Sequence, residues 1–493
     1  MNSSKTLGSS GQSDSSSKSH LESQSHLESQ SHLESQNNSA SGAQSNPDEQ
    51  KRFRSAPVPK SRFSRMAKLG GLAGRVATNM ALDSGRQLLK GQKPALNELL
   101  LSRKNLSHVA DQLASMRGAA MKLGQLISMD AGTVLPKDLA DILNKLRADG
   151  VTMPPSQLIE VLNRNWSEGW DQHFSRFGFN PIAAASIGQV HKAVNKQGVE
   201  LAIKVQYPGV RESIDSDLDN VYGLLKISGL LPKELDLQPV IDEARQQLHK
   251  EADYHQEGHH LQLYQQHLRS LREFDNLLLP EYFPELSTQE ILCMSYIPAQ
   301  PLEQAVMNHP ALANQVMSQL FELFFAELFQ FNCVQTDPNL ANYQLTQNDF
   351  HTGRHHLVLL DLGALREYTP EFVHDYKQAI IAAYEQDQES LLTALEQLGF
   401  FAQGQDVANL DVILSILMMA AEPLRHEGPY DFARSDLAQR IRDEGLSISR
   451  EPEAWHTPPP DVIFLHRKMA GLFLMATRLR AQVDIRSLFL PYL

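Results

Sequence analysis

The chain has 493 residues, 42% of them hydrophobic, which is enough for two or three domains with a sizeable core, and a formal net charge of −13. That charge argues against a nucleic-acid partner. Its two cysteines, Cys293 and Cys333, lie forty apart with no Cys-x-x-Cys, so they supply no zinc or disulfide framework and are expected in the core of a protein from a reducing compartment.

The first 50 residues are mostly Ser, Gln, Asn and Gly, with three tandem Ser-His-Leu-Glu-Ser-Gln copies between Ser19 and Gln36. They have almost nothing to bury and are expected to be disordered. No apolar signal segment stands here, and acids at Asp14, Glu22, Glu28 and Glu34 with no Arg before Arg52 argue against a mitochondrial presequence, so a cytoplasmic location is expected. Lys51, Arg52, Arg54, Lys60, Arg62, Arg65 and Lys68 then fall within eighteen residues that contain no acid, interleaved with Phe53, Phe63 and Met66 and followed by Leu69. Such a segment suits the anionic inner face of a membrane, each charge contributing about 1 kcal/mol near the headgroups, and it also reads as a solvated linker.

Helices are predicted over 97–114 and 116–129. In the second, Lys122 and Gln125 form a polar pair three apart among Met121, Leu123, Leu126 and Ile127. A packed helix explains the apolar residues but does not require the pair, whose substitution at an exposed face is expected to change activity more than stability. Ala183, Ala184, Ala185, Ser186 and Gly188 read as a tight loop opening a strand, and residues 199–205 form an apolar strand carrying Lys204. Downstream, Glu251, Asp253 and Glu257 lie in a polar segment of helix-forming composition, Asp253 and Glu257 sharing a face. Taken alone, Lys204 reads equally as a snorkelling strand lysine, and the acids as a solvated helix face.

A strand over 290–296, with Met294 inside it, leads to a Pro-bearing hinge. The helix expected over 312–331 then delivers the chain to Gln335-Thr336-Asp337-Pro338-Asn339, with Asn342 five residues after Asp337 and Asp361-Leu362-Gly363 nineteen residues after Asn342. A hairpin is expected to join Tyr343 to a strand at 357–360, with a helix over 371–388 beyond it. The longest apolar runs, 320–331 and 462–476, are broken by Glu322 and Glu327 and by His466, Arg467 and Lys468, so neither is expected to cross a bilayer alone.

Phosphate loop, strand Lys, helix Glu, loop Asp with a following Asn, and a second Asp before Gly occur in the order of protein kinases. In that order Asp337 is the base facing the acceptor hydroxyl, Asn342 and Asp361 are the Mg²⁺ ligands, Lys204 is the phosphate partner with Glu257 holding it, and Met294 lines the adenine pocket of an ATP/ADP site. The chain further resembles the AarF/UbiB family of atypical kinases through Lys122-Leu123-Gly124-Gln125 (Lys-x-Gly-Gln), the Ala-rich loop and Glu251-Ala252-Asp253 (Glu-x-Asp), from about Pro59 to the C-terminus. Its Gln-Thr-Asp-Pro-Asn loop resembles the coenzyme-Q branch in particular.

The resemblance implies an α+β, kinase-like two-lobed fold with a helical extension over 59–170, an N-lobe over 171–298 and a C-lobe over 299–493, after a tail over 1–58. It also implies that the extension crosses the protein-substrate groove, which favours ATPase or small-molecule chemistry. The implied partners are membrane lipids or isoprenoid quinone intermediates and quinone-biosynthesis enzymes. Two departures from ordinary kinases stand out: Gln335 where a His is usual, and Leu362 where a Phe is usual.

Overall fold

The computed structural model describes residues 54–55, 118–120, 122–124, 151–228, 238–269, 271, 274, 276–346, 355–401, 410–448 and 458–493. These belong to one compact unit, Phe53–Leu493. The repeats, most of the basic segment, the helix expected over 97–114 and Gln125 lie outside the described residues.

Pro155 opens helix α1 (Pro155–Trp166), where Leu158, Val161 and Leu162 form a buried stripe at helical spacing. An antiparallel sheet follows: β1 (Phe174–Phe177), β2 (Ala183–Ala184), β3 (Gly188–Asn195) and β4 (Glu200–Gln206). A later strand, β5 (Ile291–Ser295), completes it on the far side of β4. Between β4 and β5 come three helices, α2 (Val210–Ser228), α3 (Gln238–Glu251) and α4 (Tyr254–Arg269).

The period of two in β4 decides which residue faces the cleft. Leu201, Ile203 and Val205 are buried on one face against Leu158, Val161, Trp170, Phe174 and Phe177. Lys204 therefore emerges on the opposite face, as do its neighbours across the β5 ladder: Leu292 pairs with Lys204 and Met294 with Ala202. On that face Leu292 and Met294 join Leu123, Ile187, Ala252 and Tyr254 in a second apolar cluster.

The lobe is more helical than the strand-rich region expected. The polar segment is also two helices rather than one, because α3 ends at Glu251 and α4 begins at Tyr254. Asp253 stands in the break, where its carbonyl accepts the Glu257 amide and its Oδ1 the Gln256 amide. It is thus a cap of α4, not a partner on the same helical face as Glu257.

The second lobe is built on α5 (Leu312–Phe329), which is apolar on nearly every side and buries Val316, Leu320, Phe324 and Leu328 at its centre. From α5 the chain enters β6 (Cys333–Gln335), passes the loop carrying Asp337 and forms the hairpin β7 (Tyr343–Thr346) and β8 (Leu357–Leu359). It then returns as β9 (Leu365–Glu367), antiparallel to β6 with Gln335 opposite Leu365. The hairpin and the β6–β9 pair hold the two motifs side by side: Leu360 donates its amide to the Asn342 carbonyl, and the amide and hydroxyl of Thr336 both bond to Ala364 O. Helices α6 (Pro370–Glu385), α7 (Gln388–Gln397) and α8 (Pro460–Leu479) pack into the core of this lobe, to which Leu414, Phe432, Ile485 and Phe489 from other segments also contribute. Both cysteines are buried and free, and among the described residues no helix is long and apolar enough to cross a membrane.

Candidate active site

Lys204 reaches across the cleft face to α4, where its Nζ donates to both carboxylate oxygens of Glu257 at 2.8 and 2.9 Å. The same ammonium lies 3.6 Å from Asp361 Oδ2. Burial works against the charge of Lys204, yet Asp361 and Glu257 together hold its pKa well above the ordinary value. Burial pushes the Glu257 carboxyl up to about 7, with Lys204 pulling the other way. Asp361 is also disfavoured by its surroundings as an anion, but Lys204 and the Gly363 amide, which donates to Oδ1 at 2.9 Å, keep its pKa below the usual carboxylate range.

Asp337 and Asn342 form the other half. Asn342 turns its Nδ2 toward Asp337, 3.2 Å from the carbonyl and 3.4 Å from Oδ2, which leaves the amide oxygen as its remaining acceptor. Asn339 caps the short turn by accepting the Ala341 amide. Gln335, in place of the usual His, donates from Nε2 to the carbonyls of Asp337 and Asp361 at 3.0 and 3.4 Å. Leu362 is buried in the main core, where its carbonyl accepts from His260 Nδ1, so the apolar anchor expected of a Phe is supplied by Leu. The Asp361 carboxylate and the Asn342 amide oxygen are hard oxygen ligands of the kind Mg²⁺ takes while sharing its shell with phosphate.

The extension meets the site through Lys122, whose Nζ lies 2.5 Å from Glu251 Oε1, while Ser186 Oγ donates to Glu251 Oε2 at 2.8 Å. Glu251 therefore ties the extension to the Ala-rich loop. Lys122 is 3% exposed, so it is not the exposed helix position that the polar pair suggested. Although its burial disfavours the charge, Glu251, Asp337 and Asp361 hold its pKa up. A β-carbon at Gly118 would lie 2.9 Å from Ile187 Cγ2 and 3.1 Å from Ser186 O, so only glycine lets the helix approach the loop this closely. Ala183 and Ala184 pair with Val190 and Gln189, and the Ala185 amide bonds to Gly188 O, forming a hairpin with no positive-φ residue.

The structure thus brings Lys122, Ser186, Lys204, Glu251, Glu257, Asp337, Asn342 and Asp361 around one cleft. Met294 is buried in the apolar cluster on the same face of the sheet as Lys204, and Asp253 is a cap of α4. Sequence reasoning missed Tyr254, whose ring lies 5.0 Å from Lys204 Nζ and whose buried hydroxyl has no hydrogen-bond partner among the described residues. It also missed the buried residues Glu327 and Lys468 behind the catalytic loop. A charge inside an apolar run was the available signal for both, but it was used only to reject membrane spans.

Residues 145–395 match the ABC1 atypical kinase-like domain, and the chain belongs to that family. It is 34% identical over 448 residues, 90% of this chain and 87% of the relative, to the atypical kinase COQ8, mitochondrial, of Saccharomyces cerevisiae. To the atypical kinase COQ8B, mitochondrial, of Rattus norvegicus it is 34% identical over 450 residues, 90% of this chain and 82% of the relative. Among solved structures, the Rv3197–erythromycin complex from Mycobacterium tuberculosis aligns with 79% of this chain and 95% of its own at a TM-score of 0.53 and 24% identity, a likeness of fold.

Proposed function

We propose that the protein is a Mg²⁺- and ATP-dependent phosphoryl-transfer enzyme, an atypical kinase or ATPase, that acts at a membrane surface in isoprenoid quinone biosynthesis. The observation that carries the chemistry is the convergence of Lys204, its Glu257 partner and Asp361 on one side of the cleft with Asp337 and Asn342 on the other. In this reading Lys204 binds phosphate oxygens and Glu257 keeps its ammonium aimed. Asp337 orients the attacking hydroxyl or water and takes its proton. Asp361 and Asn342 would hold Mg²⁺, which supplies positive charge to the phosphates.

The biosynthetic role is supported by the extent of similarity to the COQ8 relatives and by the Gln-Thr-Asp-Pro-Asn loop. Membrane action is supported by the basic, partly apolar segment from Lys51 to Leu69. Polyprenylated intermediates stay in the bilayer because each CH₂ group contributes about 0.8 kcal/mol, so presenting their headgroups to soluble enzymes calls for coupling to nucleotide hydrolysis. A nucleotide-binding scaffold is the second reading. It is favoured by the Lys122–Glu251–Ser186 tie, which fastens the extension to the phosphate loop.

ADP release by the purified full chain, with and without anionic liposomes, tests the enzyme. Quinone content of cells lacking the protein, complemented by wild type or Asp337→Asn, tests the role. Normal quinone in the deletion strain, with no redundant paralogue present, would overturn the role; rescue by Asp337→Asn would favour the scaffold.

A further inference from the structure

Behind the catalytic loop lies a buried ion pair that the chemistry above does not use. Lys468, on α8, is 2% exposed and lies 3.7 Å from Glu327 on α5, which is also buried. Tyr264 donates its hydroxyl to Glu327 Oε1 at 2.6 Å, and the backbone N–H of Gln335 donates to the same oxygen at 3.3 Å. Lys468 Nζ donates to Gln335 Oε1 at 3.2 Å and to Tyr343 OH at 3.3 Å.

The consequence follows from donor and acceptor counting. An ammonium has donors only, so the side of the Gln335 amide facing Lys468 must be its oxygen. A flipped amide would place NH₂ against NH₃⁺. With the oxygen fixed, the NH₂ is committed to the other side, where it spans the carbonyls of Asp337 and Asp361. One turn along α8, a β-carbon at Gly471 would lie 2.1 Å from Pro338 Cγ, so the helix backbone itself rests on the residue after Asp337. The two contacts bracket the loop.

We propose that Lys468 is a positioning residue for phosphoryl transfer: neutralised by Glu327, it sets the orientation of the Gln335 amide and so holds the backbone of the base Asp337 in register with that of the metal ligand Asp361. A helix more than a hundred residues beyond the loop thereby orients the Gln335 that stands where ordinary kinases have a His. The inference rests on the phosphoryl-transfer reading.

The test uses the full chain and measures ADP-release kcat and KM, Mg-ADP affinity and melting temperature. Lys468→Met should lower kcat by about 10–100-fold, the scale of an ångström-level misplacement, with Mg-ADP affinity within about threefold of wild type. Adding Glu327→Gln removes the carboxylate left unpaired and should restore melting temperature without restoring turnover. Gln335→Glu keeps a partner for Lys468 but loses both donors, and should show the same fall in kcat. This variant decides the matter should Lys468→Met not fold.

Recovery of turnover as well as melting temperature in Lys468→Met with Glu327→Gln would overturn the proposal, since Lys468 would then only neutralise Glu327. Wild-type turnover in Lys468→Met or in Gln335→Glu would overturn it equally. Wild-type turnover in Asp337→Asn would instead overturn the phosphoryl-transfer reading itself.

Discussion

Replacing Lys122 by Met tests whether the extension is held by charge. An exposed helix position seldom costs more than about 0.5 kcal/mol, whereas removing one partner of a buried ion pair costs about 3–5 kcal/mol. Lys122 is 3% exposed and Glu251 18%, and Glu251 would keep its bond from Ser186, which moderates the loss. An expected cost of about 2–3 kcal/mol follows, or a fall in melting temperature of only about 2–3 °C, because a unit running from Phe53 to Leu493 has a large unfolding entropy at about 2.1 cal/mol/K per residue. Urea and thermal unfolding of the full chain would measure it. A double variant, Lys122→Met with Glu251→Gln, should recover about half of the loss, because the remaining amide carries no unpaired charge. A single-variant cost below about 0.5 kcal/mol, or no recovery in the double variant, would refute the ion-pair argument.

Asp361→Asn should weaken Mg-nucleotide binding by about tenfold or more, about 1.4 kcal/mol, and reduce its Mg²⁺ dependence, because an amide dipole replaces a full charge facing the cation; titration calorimetry with and without Mg²⁺ would check it. His191 is buried, its Nε2 accepts from Gln189, its Nδ1–H donates to Gly178 O, and burial lowers its pKa to about 4. Since the folded pKa lies below the unfolded one, the stability it contributes is complete above about pH 6.5 and is lost as pH falls toward 4, by up to about 3 kcal/mol. Urea midpoints from pH 4 to 7 should show a step that His191→Gln removes. Gly118→Val should cost about 1–3 kcal/mol by forcing the helix off Ile187 and Ser186; equal urea midpoints for variant and wild type would contradict the close approach.

Much of the candidate site's geometry was legible because its motifs occupy short segments. The spacing from Asp337 to Asn342, the apolar strand around Lys204 and the candidate partner Glu257 are local patterns, and the period of two in β4 is enough to separate Lys204 from Leu201, Ile203 and Val205. The break between α3 and α4 was not legible, because residues 250–257 have helix-forming composition throughout and only the capping by Asp253 marks the boundary. The burial of Lys122 was hidden for another reason. A lysine on an apolar helix looks like the polar edge of an amphipathic face until a carboxylate 129 residues away is brought against it. Lys468 shows the same limit, because its partners come from α5, β6 and β7.

Three lysines in and behind the cleft are therefore each matched to a glutamate on a different element: Lys122 with Glu251, Lys204 with Glu257, and, behind the Asp337 loop, Lys468 with Glu327. Buried pairs of this kind are a poor way to gain stability, since desolvation of both charges can outweigh their attraction and apolar replacements are often neutral or better. What such a pair supplies is direction, because a charge committed to one partner fixes where its remaining donors or acceptors point. The pairs join Lys122 to α3 and, through Ser186, to the Ala-rich loop, β4 to α4, and α8 to α5 behind the Asp337 loop, and in the proposed reading these are the junctions whose relative position would set the geometry of transfer. Stability and turnover should therefore separate at every one of them: replacing both members of a pair by apolar residues of similar volume would spare the fold and cost the reaction.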